Sequence, residues 1–196
     1  MIVVLCGKSC VGKDSVREWL ISDKEYKRLI SYTSRPMRVG EKDGVDYKFV
    51  SIEDLGYMRD KGEILDYREY KVSNGEIWGY GHYYYPKTFF ENNVYIAISD
   101  LDGAKAFKKA YGNDCIVIYI ESPYYQRRAR ANIRDDNTKE ITRRFLQDDI
   151  DFNNKKLYNI IDFSVENQDG HLSEVVDEIT NYIENIKGVK NENKYS

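Results

Sequence analysis

The chain is short of cysteine, short of proline and without a long apolar run, and each scarcity removes a class of protein. Cys6, Cys10 and Cys115 are the three cysteines among 196 residues. The number is odd and no C-x-x-C pair occurs, which argues against a disulfide framework and a zinc site. Cys6 and Cys115 sit inside apolar runs, where a reduced thiol behaves as a small hydrophobe. The first apolar run, Ile2 to Cys6, is far too short for a signal peptide or a membrane span. Basic residues are not in surplus either. The net charge of −3 speaks against a broad nucleic-acid footprint, though not against a local basic cleft. The expectation is therefore a soluble protein of a reducing, cytoplasmic compartment, monomer or homodimer, with no nucleic-acid or membrane partner.

What is present is an alternation of short β-rich runs with helical patterns. Residues 2–6, 94–98, 115–120 and 160–165 read as buried strands. Helices are expected from about 13 to 22, from 102 to 111 with Asp102 as N-cap, after Ser122-Pro123, and as a closing helix to about Ile186. Continuous apolar strands separated by helices predict a parallel sheet covered on both faces, an α/β fold. The segment from Tyr47 to Tyr85 breaks the rhythm with alternating aromatic and polar residues, which predicts a small antiparallel insertion. Within it, Ser51-Ile-Glu-Asp54 has the form of a capping box.

Gly7-Lys8-Ser9-Cys10-Val11-Gly12-Lys13 follows the first strand and opens the first helix. It fits G-x-x-x-x-G-K, in which glycines turn backbone N–H groups toward phosphate oxygens and the lysine reaches the β- and γ-phosphates. The helix N-terminus adds favourable partial charge. The pattern normally ends in Ser or Thr as a Mg²⁺ ligand. Here Asp14 stands there and Ser15 follows, so Asp14, Ser15, or only water and phosphate could serve the metal.

The segment 31–50 offers a hydroxyl (Ser31), two arginines three residues apart (Arg35, Arg38) and Tyr47 beyond a glycine-rich turn. Arginine forks match a phosphate bidentately. This stretch resembles the nucleotide-binding region of guanylate kinases, whose pattern runs S-x-T-T-R-x-x-R-x-G-E-x-x-G-x-D-Y-x-F-V, with Ser34 replacing the second Thr. The resemblance covers roughly residues 1 to 185. It implies a P-loop nucleoside monophosphate kinase fold in one domain, 1–187. The core would be 1–32, 86–125 and 150–187, the monophosphate-binding region 33–85 and a helical lid 126–149, with a tail at 188–196. It further implies transfer of the γ-phosphoryl group of ATP, with Mg²⁺, to GMP.

The resemblance assigns Ser31, Arg35, Arg38 and Tyr47 to the acceptor phosphate. Asp66, in Gly62-Glu-Ile-Leu-Asp66-Tyr, corresponds to an acidic residue that accepts guanine's N1–H and N2–H₂. Tyr80-Gly81-His82 corresponds to a tyrosine-glycine-Ser/Thr segment after an insertion around residues 71–75, with Tyr84 or Tyr85 as alternatives to His82. Asp100 corresponds to the second aspartate of D-x-D-x-x-G at a strand end; Ile98 replaces the first. Asn167, at another strand end, would lie near the adenine.

Six arginines crowd residues 127–144. Arg130 and Arg134 share a helix face. Asn137 and Glu140 suit the start of the next helix, whose Ile141, Phe145, Leu146 and Ile150 read as a core-facing stripe. A solvated surface suits Arg127 and Arg128. The resemblance implies that Arg130, Arg134 and Arg144 close over the moving phosphoryl group. Two other readings stand beside this one. One is a kinase for a different or deoxy nucleoside monophosphate, and the other is a non-catalytic guanylate-kinase-like module, against which the intact phosphate loop argues.

Overall fold

The computed structural model describes residues 1–72, 74–91, 93–133, 138–153 and 159–192, with side chains to 188. Five parallel strands form the central sheet: β1 (Ile2–Cys6), β2 (Lys27–Arg28), and three later strands numbered below by their place in the chain. These are β7 (Tyr95–Ile98), β8 (Cys115–Glu121) and β9 (Phe163–Glu166), in the spatial order β2-β7-β1-β8-β9. Strand alternation splits their side chains between two cores. Val3, Leu5, Ile96, Ile118 and Ile120 pack with Val16 and Leu20 of α1 (Lys13–Lys24) and with Val176, Ile179 and Ile183 of α6 (Leu172–Glu192). Ile2, Val4, Ala97 and Val117 pack with Leu101, Ala104, Phe107 and Tyr111 of α3 (Leu101–Tyr111). Burial on both faces is why these strands read as unbroken apolar runs. Each fully buried aliphatic side chain contributes about 1.5–3 kcal/mol of transfer free energy.

A second, four-stranded sheet stands beyond the carboxyl ends of the first. It joins β3 (Ser31–Thr33), β4 (Lys48–Phe49), β5 (Arg68–Lys71) and β6 (Ile77–His82) in the order β4-β3-β6-β5. The β3–β4 pair is parallel and the other two antiparallel, so the insertion is mixed. Register places Ser31 opposite His82, and Tyr80 between Thr33 and Arg68. One face of the sheet thus carries Ser31, Arg68, Tyr70, Trp78, Tyr80 and His82. The other face carries Gly79 and Gly81, where a Cβ would meet Leu55 at 2.8 Å and Ile64 at 2.4 Å respectively. Leu55 belongs to α2 (Ile52–Asp60), whose first turn is capped as expected by the Ser51 hydroxyl accepting from Asp54 N–H at 2.9 Å.

The remaining helices, α4 (Tyr124–Ile133) and α5 (Thr138–Asp151), lean over the phosphate loop. Several sequence expectations are corrected. The N-cap of α3 is Asp100, whose carboxylate accepts from Gly103 N–H at 2.8 Å, and Asp102 lies inside the first turn. The last strand begins at Phe163, because Asp162 turns its carboxylate onto Val117 N–H and Lys108. On α5, Ile141 and Phe145 are buried, but Leu146 and Ile150 are exposed. Arg127 is buried rather than solvated. The closing helix continues past Ile186 to Glu192. Asn137 lies outside the described residues.

Candidate active site

The loop between β1 and α1 is built by main-chain demands. Gly12 has φ 97°, and a Cβ there would sit 2.3 Å from Asn167 Nδ2. A Cβ on Gly7 would sit 2.3 Å from the Ile120 carbonyl oxygen. Only glycine meets both conditions. Cys10 holds a left-handed φ of 62°, a strained value for a side-chain-bearing residue and one that clusters at binding loops. Asn167 braces the loop from behind by donating Nδ2–H to the Val11 carbonyl at 2.7 Å. Lys13 folds its ammonium back onto the carbonyls of Gly7 and Lys8 at 2.7 and 2.9 Å. Burial pulls the Lys13 pKa down, with Asp14 and Asp148 opposing.

Helices α4 and α5 grip this loop. Asp148 of α5 accepts from Ser9 N–H at 2.9 and 3.0 Å and from the Ser9 hydroxyl at 2.9 Å. Arg127 of α4 donates to Asp148 at 3.1 Å and to the Ser9 carbonyl at 3.3 Å. A carboxylate thus rests on a loop amide of the kind that cradles phosphate. Arg130 spans the far side, reaching the Val11 carbonyl at 3.2 Å, the Asn167 carbonyl at 3.1 Å and Asp169 at 2.6 Å. With Gly12, Ser15 and Asn167 it lines a separate cavity beside the loop. Arg143 and Arg144 both hold Glu140, at 2.8 and 3.1 Å, and both face the main cleft.

That cleft, of about 230 Å³, runs from Gly7, Ser9 and Lys13 to Ser31, Tyr47, Arg68, Tyr70, Trp78, Tyr80, Ser99 and Asp100. It falls below the ~300–1,000 Å³ of ordinary ligand pockets, so a ligand of ordinary size requires its walls to part. Its outer wall is aromatic. Tyr80 meets Tyr70 and Tyr47 edge-on at centroid distances of 5.9 and 6.4 Å. Behind Tyr47, the buried Arg35 is spent on Glu41, donating at 2.7 and 3.1 Å, with its guanidinium 5.3 Å from the Tyr47 ring. Glu41 also accepts from Arg38 N–H at 2.7 Å. Arg35 and Arg38 therefore flank the cleft without lining it in this conformer.

Asp66 and His82 lie deeper still. Both side chains are fully buried. Asp66 Oδ1 accepts from His82 N–H at 2.6 Å and from Nδ1 at 3.0 Å. Asp66 Oδ2 accepts from Nδ1 at 3.0 Å and from the Ser99 hydroxyl at 2.9 Å. His82 Nε2 bonds the Ser31 hydroxyl at 2.8 Å, and its ring meets Phe107 edge-on at 5.1 Å. Burial alone would raise the Asp66 pKa. The adjoining His82 and Arg68, with hydrogen bonds from His82 and Ser99, hold it down at about 2. Arg68 donates to Ser99 at 2.7 Å and pairs with Asp100 at 3.1 Å. Tyr70 donates its hydroxyl to Asp100 at 2.6 Å.

Most of the sequence-predicted residues fall into three groups, while Arg35 and Arg38 stay on Glu41 outside the cleft lining. Gly7, Ser9, Lys13, Ser31, Tyr47, Tyr80, Asp100 and Arg144 meet around one cleft. Gly12, Ser15, Arg130 and Asn167 share the second cavity. Asp66 and His82 sit together behind the first, and neither Tyr84 nor Tyr85 lines either cavity. Arg134 lies outside the described residues. Asp148, Arg127, Arg68 and Tyr70 were not singled out from sequence. The alternation Arg68-Glu-Tyr70-Lys on a strand could have flagged two of them, since residues 68 and 70 must share a face.

The family profile described as Guanylate kinase matches residues 1–186. A guanylate kinase of Enterococcus faecalis is 35% identical over 125 residues, or 63% of this chain, and the match spans 59% of that relative's length. A crystal structure of guanylate kinase from Anaplasma phagocytophilum has a TM-score of 0.68 at 23% identity, covering 94% of this chain and 84% of that one. A structure of an uncharacterized protein from Eubacterium ventriosum has a TM-score of 0.52 at 12% identity, covering 94% of this chain and 98% of that one. At these identities the two structures speak to fold alone.

Proposed function

The chain belongs to the guanylate kinase family, and from that premise we propose that it transfers the γ-phosphoryl group of ATP to GMP or dGMP, giving ADP and GDP or dGDP. The observation that carries this reading is the single cleft onto which a phosphate-loop lysine, Lys13, and an acceptor wall of Ser31, Tyr47, Tyr80 and Asp100 both open. Phosphoryl transfer asks for positioning and charge neutralisation rather than covalent participation, so no general base is assigned.

ATP takes the phosphate loop, residues Gly7 to Ser15, with Lys13 leaving the Gly7 and Lys8 carbonyls for the β- and γ-phosphates. The cavity between Arg130 and Asn167 takes the adenine side. Arg35, Arg38 and Tyr47 hold the acceptor phosphate once Arg35 exchanges Glu41 for it. Arg144, with Arg143 beside it, faces the space between the two nucleotides, where guanidinium groups neutralise charge as it develops. Lid closure excludes water and limits ATP hydrolysis.

Asp14 would hold a divalent cation, proposed as Mg²⁺, which would supply neutralisation of phosphate charge when ATP is bound. The residues fit such an ion. Asp14 is a hard oxygen donor where the loop pattern ordinarily ends in a hydroxyl, and it is held by Arg17 at 3.1 Å with more than half its side chain exposed. Mg²⁺ needs only one or two carboxylates beside phosphate and water. Ser15 lines the adenine-side cavity instead. Among the described residues no helix is long and apolar enough to cross a membrane. Three free thiols suit the reducing cytoplasm proposed as its compartment.

A coupled ADP-production assay with GMP, dGMP, AMP and UMP tests the reading. GMP or dGMP is expected to be preferred. Lys13→Ala is expected to lose turnover at an unchanged melting temperature, and activity retained in that variant overturns the assignment.

A further inference from the structure

We propose that Arg17 is a third guanidinium for the acceptor phosphate, meeting the monophosphate dianion from α1 while Tyr47 meets it from the mixed sheet. The inference rests on the kinase reading above, which gives that phosphate to Arg35, Arg38 and Tyr47, and it adds a cation from the opposite wall.

The first ground is position. Arg17 follows Lys13 by four residues on α1, so the two side chains share one helix face with about 6 Å of rise between them. Both line the main cleft, as do Ser31 and Tyr47. Burial raises the pKa of the Tyr47 hydroxyl; Asp14 adds to the rise and Arg17 opposes it, so that hydroxyl lies within the field of the Arg17 guanidinium. Lys13 thus serves the donor end of the cleft, and Arg17 the stretch toward the acceptor wall. Arg35 and Arg38 stand behind Tyr47 with Glu41 between them. Of these three arginines, Arg17 alone lines the cleft in this conformer.

The second ground is incomplete pairing. The Arg17 side chain is only 9% exposed, yet both of its carboxylate partners stand half in water. Asp14, on Nη2 at 3.1 Å, is 55% exposed, and Glu18, on Nε at 3.1 Å, is 48% exposed. Glu18 is also shared with Arg28. Carboxylates this well solvated hold a cation weakly, whereas a guanidinium withdrawn from water calls for a full partner. Nη1 carries no hydrogen bond. It is not sealed off either, because the one unpartnered side-chain atom without accessible surface among the described residues is Arg68 Nε. Nη1 and Nη2 together form the end-on fork that meets two phosphate oxygens, once Nη2 exchanges Asp14 for one of them.

Steady-state kinetics of two variants test this. Arg17→Met keeps the buried stem and removes the charge, leaving Asp14 and Glu18 to water. Its KM for GMP should rise about tenfold, the scale of one charge-assisted hydrogen bond, with the KM for ATP within about twofold of the unaltered value. Arg17→Lys keeps the charge but loses the fork, and should raise the KM for GMP about threefold. Guanosine has no phosphate, so its inhibition constant should stay within about twofold in both variants. If Arg17→Met does not fold, Arg17→Lys carries the same comparison. An unchanged KM for GMP overturns the assignment. So does an equal rise in the KM for ATP, which would make Arg17 a brace for Asp14 and the phosphate loop, and so does an equal rise in the inhibition constant of guanosine. If the unaltered protein phosphorylates another monophosphate in place of GMP, the base reading fails, and the Arg17 assignment is decided by the same comparison with that acceptor and its nucleoside. If it phosphorylates no monophosphate at all, both fail.

Discussion

Asp66 carries a titration that stability measurements can follow. Its folded-state pKa of about 2 lies below the ordinary 3.8. The native state therefore binds fewer protons than the unfolded chain in that interval. The resulting stabilisation is fully present above pH 3.8 and is lost as pH falls toward 2. Its size is roughly 2 kcal/mol. Melting curves between pH 5 and 2 should fall more steeply for the unaltered protein than for Asp66→Asn, which has no such proton to gain. Parallel curves would contradict the buried pairing. The same residue marks the limit of reading a sequence. Gly7, Gly12 and Lys13 are legible because a backbone angle or a phosphate contact demands one residue type. Asp66 is legible as an acid, but its engagement by His82 depends on strand register across a 16-residue gap. Nothing local in the sequence encodes that.

At the scale of elements, a buried ion pair ties α4 and α5 to each other and to the phosphate loop. Arg127 and Asp148 are both nearly inaccessible, and together they hold Ser9 at its N–H, hydroxyl and carbonyl. Removing one partner of a buried pair leaves an uncompensated charge and costs about 3–5 kcal/mol. Asp148→Ala is accordingly expected to lower the melting temperature by about 10 °C for a domain of this size, read by circular dichroism. A shift within 2 °C would mean that α4 and α5 are held otherwise. The helical period correctly marks Ile141 and Phe145 as buried. It misjudges Leu146 and Ile150 because α5 buries a narrow stripe against Ala131 and Cys10 and turns its other side outward. Asp148 takes the buried position that periodicity alone would give to an apolar residue.

The whole molecule sets two sheets so that the carboxyl ends of β1 and β7 face the mixed sheet across a cleft, the usual location for ligands of open α/β folds. This architecture was readable in advance, since doubly covered parallel strands leave unbroken apolar runs and the β insertion leaves an alternating one. The resting engagements of the charged groups were not readable. Lys13 sits on carbonyls, Arg35 on Glu41 and Asp148 on the loop amide, each an exchange partner that only the folded geometry brings near. The central claim is that these engagements give way to two nucleotides meeting end to end. A crystal structure with adenosine and guanosine joined by a polyphosphate chain tests it most directly. Lys13 should have moved onto the phosphates, and Arg35 should have left Glu41 to hold the guanosine-side phosphate together with Arg38 and Tyr47. If Arg35 is still locked on Glu41 and the guanosine half lies outside the cleft, the account is contradicted.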